Sequence, residues 1–200
     1  SLHDALPILA GNKLHVCISH PKCTGLFLHL NMLKKLDISR NGIFILLRNF
    51  FRGLNNLTYL ALSGNKLTWL LPDTFHLLGN LKYLDLSWNK LTSPLPDTFF
   101  HLGNLKNLDL SDNLIIKLPS LLFLSLARLQ LLNISFNKLD NLAGSFSYIP
   151  AVSYVDLSFN KITYLNMNTT FFLDQYSADH TINLNMTNEE FIYSCEPENH

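Results

Sequence analysis

The side chains best suited to covalent or metal chemistry lie close together near the start of the chain. His15, Cys17, His20 and Cys23 follow one another at short intervals. Three interpretations are open: a local disulfide between Cys17 and Cys23 if the chain is extracellular, free thiols, or a zinc site built from all four side chains. The irregular spacing disfavours zinc, and sequence alone does not prove a pairing. Cys17 and Cys23 are therefore the disulfide candidate.

A hydroxyl nucleophile needs a base and an orienting acid beside it. Serine recurs regularly, at positions 39, 63, 87, 111, 135 and 158, but no histidine and aspartate recur with it. The sequence also contains no glycine-rich phosphate loop. We therefore predict that this chain is not an enzyme and needs no cofactor. An enzyme on a cytoplasmic part beyond His200 remains compatible with this prediction.

The charges of the chain balance. Lys plus Arg and Asp plus Glu each total 15, so the formal net charge is zero. A neutral chain gives no sign of a nucleic-acid backbone as partner. No apolar run approaches the ~18–20 residues that a membrane-spanning helix needs. We expect membrane attachment only through a segment outside this chain.

An eleven-residue pattern recurs through the chain and must position these side chains. It reads L-x-x-L-x-L-x-x-N-x-L at 81–91, with copies at 33–43, 57–67, 105–115 and 129–139 and a weaker one at 152–162. Leu84 and Leu86 alternate with polar residues, as in a short strand with one buried face. The steps between the asparagines are 24, 24, 24, 24 and 23 residues.

A self-similar unit of this length and pattern is the signature of a leucine-rich repeat, a solenoid with one strand per turn. The predicted fold class is accordingly α/β: a right-handed solenoid with a parallel concave β-sheet and an irregular convex side. We assign the repeats to residues 9–165.

The asparagine that ends each copy has a structural role in this interpretation. A side-chain amide carries both a donor and an acceptor, so it can serve the backbone of its own turn and of the next. We therefore predict an asparagine ladder, rather than a catalytic or metal site. Its members are Asn41, Asn65, Asn89, Asn113, Asn137 and Asn160.

A phenylalanine follows nearly every ladder asparagine by ten residues. The members are Phe51, Phe75, Phe99 and Phe123, with Phe146 nine residues after its asparagine. One aromatic ring at a fixed place in each repeat is typical of a stacked convex core. The segments between, such as 72–75, are too short for long helices, and we expect single turns, 3₁₀ turns and loops there.

The outward positions of the strands form columns on the concave sheet, and these columns contain carboxylates and aromatic rings. One interpretation is a solvated face that keeps the sheet soluble. The other is an interaction surface, because solenoids bind with this face and exposed aromatic side chains are typical anchors. The candidate partner-binding residues are Tyr59, Tyr83, Asp85, Trp88, Asp109, Asp112, Phe136, Tyr154, Asp156 and Phe159.

Four Asn-x-Ser/Thr triplets make glycosylation candidates of Asn56, Asn133, Asn168 and Asn185. Asn56 precedes a strand and should be accessible, whereas Asn133 sits within a strand on the concave face. Together with the cysteines, these triplets favour an oxidising, glycosylating compartment over an intracellular one.

The two ends depart from the repeat. Residues 1–8 resemble a translated sequencing adapter, and the repeat pattern begins in mid-unit at residue 9, so we expect a fragment. Residues 166–200 resemble the start of a cysteine-rich C-terminal cap of the form N-P-F-x-C-x-C. Asn188 and Phe191 fit this form loosely, Tyr193 replaces its first cysteine, and Cys195 matches its second.

Over residues 9–200 the chain resembles the membrane-proximal ectodomain of invertebrate Toll-like receptors. The resemblance is carried by the 24-residue repeats with their phenylalanines, by the segments 173–176 and 182–188, and by the cap-like ending. It implies a single-pass receptor that binds a protein or microbial ligand on the solenoid surface in innate immune or developmental signalling, with scope for a receptor dimer. The domain would face the cell exterior or the endosome lumen. A secreted or matrix leucine-rich repeat protein and an intracellular scaffold are the alternatives.

Overall fold

The computed structural model describes residues 10–11, 25–142, 145–146, 149, 151–163 and 181–183. Its seven strands are β1 Lys35–Asp37, β2 Tyr59–Ala61, β3 Tyr83–Asp85, β4 Asn107–Asp109, β5 Leu131–Asn133, β6 Tyr154–Asp156 and β7 Thr181–Asn183. The segment 1–8, the cysteines Cys17, Cys23 and Cys195, and the glycosylation candidates Asn168 and Asn185 lie outside the described residues.

All seven strands form one parallel sheet in chain order. Lys35 pairs with Tyr59 and Tyr59 with Tyr83, so equivalent residues of successive repeats lie side by side. The predicted solenoid with a parallel concave sheet is thus confirmed. The last strand, β7, pairs in parallel with β6 and continues the sheet into the segment 166–200 that the sequence assigns to the cap.

The alternation of apolar and polar residues places one side chain of each strand in the core. The central residues of β1 to β5 are fully buried leucines, and Val155 of β6 is equally enclosed. Behind them the predicted phenylalanines stack, with ring centroids 6.1 Å apart for Phe51 and Phe75 and 6.4 Å apart for Phe75 and Phe99. The described convex segments are turns and loops, without a helix.

The ladder asparagines hold the turn that follows each strand. The Asn89 amide donates to the carbonyls of Leu86 and Ser87 in its own turn and of Leu62 in the preceding repeat, at 3.0–3.1 Å. Its Oδ1 accepts from the Leu67 backbone N–H at 3.1 Å. Besides its own turn, Asn89 therefore bonds to the backbone of the preceding repeat. The sequence predicted bonds to the following repeat, and that part of the prediction is wrong.

A second asparagine ladder, which the sequence analysis missed, runs along the turn before the strands. Asn56, Asn80 and Asn104 each donate at 2.8 Å to a backbone carbonyl of the preceding repeat, on Asn31, Asn55 and Gly79 respectively. These asparagines recur at the repeat spacing, and that spacing was the available signal. The two ladders together fix both ends of β2, β3 and β4, so the outward side chains of these neighbouring strands stay in register.

Candidate functional site

The concave face is formed by the outward side chains of β1 to β6 and by the residue just before each ladder asparagine. Register brings side chains of the same column into contact. The rings of Tyr59 and Tyr83 stack with centroids 4.5 Å apart and planes 5° from parallel. At the far end, Phe136 and Phe159 stack at 4.2 Å and 13°. The structure thus groups four of the predicted partner-binding residues into two aromatic pairs.

The residue before each ladder asparagine adopts the left-handed backbone conformation. Its φ is 53° at Trp88 and Phe136 and 55° at Phe159, a region in which a bulky side chain is strained. Gly64 occupies the same position in the second repeat with φ 67°. Trp88 is nevertheless 66% exposed, Phe136 49% and Phe159 44%. Core packing does not account for large exposed rings at positions where glycine would be less strained.

The aspartates of the face are held by the serine column. Asp85 Oδ1 accepts from the Ser87 backbone N–H at 2.9 Å and from its hydroxyl at 2.7 Å, and Asp109 accepts from Ser111 in the same way. The serines therefore stabilise the turn, a role that the sequence analysis did not assign to them. In β5 the neutral Asn133 makes these bonds. The turn needs an acceptor oxygen and not a charge.

Among the described residues, no basic side chain forms an ion pair with a carboxylate of the face. Within the described part of the chain the one ion pair joins Arg48 to Asp73, away from the concave face. Burial raises the pKa of Asp109, and the charge of Asp85 raises it further, although hydrogen bonds from Ser111 and Asn133 act in the opposite direction. Burial, with the charge of Asp109, also raises the pKa of Asp112. The face therefore concentrates negative charge that neighbouring side chains do not neutralise.

The tyrosines of the face remain neutral. Burial raises the pKa of Tyr83 to about 12, with smaller contributions from Asp85, Tyr59 and Asp109. Burial also raises the pKa of Tyr59, and Asp85 and Asp37 add to this effect. Burial raises the pKa of Tyr154 as well, where Asp156 adds to the effect and a hydrogen bond with Asn183 opposes it. Tyr154 donates from its hydroxyl to Asp156 at 3.4 Å. These phenols are hydrogen-bond donors and flat apolar surfaces at neutral pH.

A notch interrupts the face at β2. There Ala61 stands where the other repeats have Asp or Asn, and Gly64 stands where they have larger side chains. The stem of Arg40 lies over Gly64, since an added Cβ on that glycine would meet Arg40 Cγ at 2.9 Å. The exposed Arg40 was not among the predicted site residues. Its column position in the repeat was visible in the sequence, but its path across the notch depends on packing.

The two described glycosylation candidates lie in different surroundings. Asn56 is exposed at the turn before β2, although its amide donates to Asn31. Asn133 is half-buried in the middle of the concave face, and its amide also faces Asp109 Oδ2 at 3.5 Å. A glycan on Asn133 would cover the face, whereas one on Asn56 would project from the edge of the solenoid.

The described residues were also compared with the requirements of a metal site, a ligand pocket and a membrane-spanning helix. No group of three or more His, Cys, Asp or Glu side chains there could hold a metal ion. A convex groove is lined by Pro72, Asp73, Asp97, Phe100 and His101. It is shallow, and Asp73 is already paired with Arg48 at 3.2 Å. Within the same part of the chain, no helix is long and apolar enough to cross a membrane.

Comparison with known families identifies the repeat. Residues 66–115 and 103–162 match a leucine-rich repeat family, and residues 29–43 match a second leucine-rich repeat family. These segments together make up more than half of the chain. No curated protein sequence matches it significantly.

Many solved structures share the fold. A leucine-rich repeat protein of Leptospira interrogans is 25% identical with a TM-score of 0.66, over 80% of this chain and 39% of that one. TLR13, solved as a complex with ssRNA13, is 31% identical with a TM-score of 0.69, over 75% of this chain and 22% of that one. This chain therefore spans well under two thirds of either protein.

Proposed function

Because the chain belongs to the leucine-rich repeat family, whose solenoid is typically a non-enzymatic binding scaffold, we propose that it is a recognition module that binds its partner on the concave face. The observation that carries this proposal is the set of exposed aromatic side chains at strained turn positions. Trp88, Phe136 and Phe159 each hold a left-handed backbone conformation while a large part of the ring faces solvent. Strain that packing does not repay is typical of functional sites.

The same residues have the composition of a binding surface. Aromatic rings contribute large contact areas and few torsions, so they are frequent anchors in protein interfaces. On this face they are already ordered, since Tyr59 stacks on Tyr83 and Phe136 on Phe159. Less conformational entropy is therefore lost when a partner binds. A face kept only for solubility would not need ordered rings.

For the whole protein we propose the ectodomain of a Toll-like receptor that acts in innate immune or developmental signalling. This rests on the sequence resemblance and on the likeness to TLR13, which covers only part of that protein. The domain would face the cell exterior or the endosome lumen, and two receptors could pair on ligand binding. A secreted or matrix protein, or an intracellular scaffold, would give different results in the tests below.

The binding proposal can be tested with matched surface variants. The chain is immobilised and exposed to extracellular fluid and to microbial surface extracts, and each captured ligand is then titrated against variants. Trp88→Gly and Phe136→Ala, both on the concave face, are expected to weaken binding by about tenfold or more, the typical effect of removing an interface anchor.

Phe100→Ala is the matched control, because Phe100 is 59% exposed but lies on the convex side. Binding that is lost in Phe100→Ala and kept in both concave variants would overturn the proposal. For the receptor role, the transcript beyond His200 is sequenced. An apolar span of about 20 residues followed by a soluble domain is expected, and a stop codon after the cap would indicate the secreted protein instead.

A further inference from the structure

We propose that the partner of the concave face is a protein segment with lysine or arginine side chains, which lies along the solenoid axis across β3 to β6. The inference rests on the proposed function, because it names the chemistry of the partner for the same face. It is carried by three observations: unpaired carboxylates, aromatic rings beside them, and lysines that border the face on both sides.

Three carboxylates of the face lie in β3, in β4 and in the turn after β4. Asp85 and Asp109 occupy directly paired positions of β3 and β4, and Asp112 follows Asp109 in the same turn. No described basic side chain forms an ion pair with them, and they are not arranged to hold a metal ion. Like charges on adjacent strands repel. Cations from a partner would remove this repulsion, so the face is complementary to positive charge.

The charge is also not required by the fold. Asn133 makes the same two bonds to Ser135 that Asp109 makes to Ser111, at 3.0 and 2.8 Å against 2.9 and 2.6 Å. A neutral side chain thus holds this turn equally well. The repulsion between Asp85 and Asp109 is therefore not required by the turn. A positively charged partner would offset this repulsion, which explains why both charges are present.

Aromatic rings stand on both sides of this charge. Trp88, Asp112 and Phe136 occupy equivalent positions in the neighbouring turns after β3, β4 and β5, and all three have the same φ of 53°. Their side chains therefore leave the backbone in the same way, with the carboxylate between two rings. Ammonium and guanidinium groups bind to carboxylates and to the faces of aromatic rings. A lysine or arginine side chain meets both requirements at Asp112.

The borders of the face limit the shape of the partner. Lys82 and Lys106 precede β3 and β4, and Lys90 and Lys138 follow ladder asparagines, all of them exposed. A broad basic surface would meet these lysines, whereas a narrow basic segment would touch only the carboxylates between them. The same carboxylates repel the phosphates of a nucleic acid. From β3 to β6 the distance is roughly 15 Å, which an extended segment of about five residues covers.

The experiment compares probes of opposite charge on the intact chain, produced in a host that adds no N-linked glycans. Fluorescein-labelled hexapeptides that alternate arginine with glycine, or glutamate with glycine, are titrated by anisotropy, and a six-nucleotide oligouridine is titrated beside them. We expect binding of the arginine peptide only, weakened by salt. Asp85→Asn, Asp109→Asn and Asp112→Asn should each weaken it by about two- to fivefold, and Trp88→Gly by a similar factor.

Asp97→Asn is the matched control, since Asp97 is an exposed carboxylate on the convex side. It should change the affinity less than about twofold. Thermal unfolding of every variant shows whether the fold is kept, and asparagine at 133 and glycine at 64 indicate that it will be. Equal binding of the two peptides, absence of binding, preference for oligouridine, or an equal effect of Asp97→Asn would overturn the inference.

The two proposals fail separately. If Trp88→Gly and Phe136→Ala abolish capture of a natural ligand while the aspartate variants leave peptide binding unchanged, the concave face remains the recognition surface. Only the basic character of the partner is then refuted. If neither set of variants affects any binding, both proposals are refuted.

Discussion

Single side chains of this solenoid combine a structural role with an exposed chemical group. Asp109 uses Oδ1 to accept from Ser111, while Oδ2 faces Asn133. The charge of the carboxylate is surplus to the turn, because Asn133 holds the next turn without one. Charge and turn geometry can therefore be separated by substitution.

Asp109→Asn should raise the free energy of unfolding at neutral pH by about 0.2–1 kcal/mol, the range for charge pairs on adjacent strands. Burial and Asp85 raise the pKa of Asp109 above 3.8, so the folded chain holds this proton more tightly than the unfolded chain. The ionised group thus lowers stability as pH rises from 3.8 through the raised pKa.

Urea unfolding of both proteins at pH 7 and near pH 3 measures this difference. The variant should be the more stable at pH 7, and the two curves should converge at the acid end. A variant that is less stable at pH 7 would show that the Asp109 charge supports the turn.

At the scale of the element, each strand is only three residues long and relies on its two flanking turns. The ladder that follows each strand is buried, whereas the second ladder, which precedes the strands, is exposed to water. Asn89 is buried and makes four bonds to backbone groups, whereas Asn80 is exposed and makes one, to Asn55. Water can replace the second kind of bond but not the first.

Asn89→Leu should lower the free energy of unfolding by at least about 1–3 kcal/mol, because backbone groups around the turn lose buried partners. Asn80→Leu serves as the matched control and should cost less than about 1 kcal/mol, since water reaches the Asn55 carbonyl. Chemical denaturation of the two variants and the parent chain gives the comparison. Equal losses in both variants would contradict the distinction between the ladders.

At the scale of the whole molecule, parallel stacking turns a repeat position into a column. The chain is neutral overall, but from β3 to β6 its charges are segregated: aspartates lie on β3, β4 and β6, and lysines lie at both borders of the face. Net charge therefore conceals a surface with a definite pattern. The same stacking sets Asn56 at the edge of the solenoid and Asn133 at the centre of its binding face.

Secreted expression should give a product whose mobility shifts on glycosidase treatment, with a glycan on Asn56 and Cys17 joined to Cys23. Both modifications belong to the oxidising secretory route. Asn133 should carry no glycan on a chain that binds through the concave face. Peptide mass mapping checks all three statements. Unmodified Asn56, Asn168 and Asn185 with three free thiols would remove the extracellular location and the receptor proposal.

Much of this architecture follows from the sequence alone, because a repeat carries its own register. The spacing of Asn65, Asn89 and Asn113 predicts one strand per unit, and parallel stacking then follows, since each unit can bury its leucines only against a neighbour. The phenylalanine core and the columns of the concave face follow from the same period.

The spacing of the repeats does not specify distances, side-chain exposure or backbone conformation, and the tertiary structure decided these. The stacking of Tyr59 on Tyr83, the left-handed turn at Trp88 and the course of Arg40 over Gly64 depend on neighbouring repeats. Side-chain geometry was also needed to find the role of the serine column and to see that no described basic residue forms an ion pair on the face. Sequence spacing specifies which residues share a column, whereas packing determines which of them touch, and the energetics of a site depend on contact.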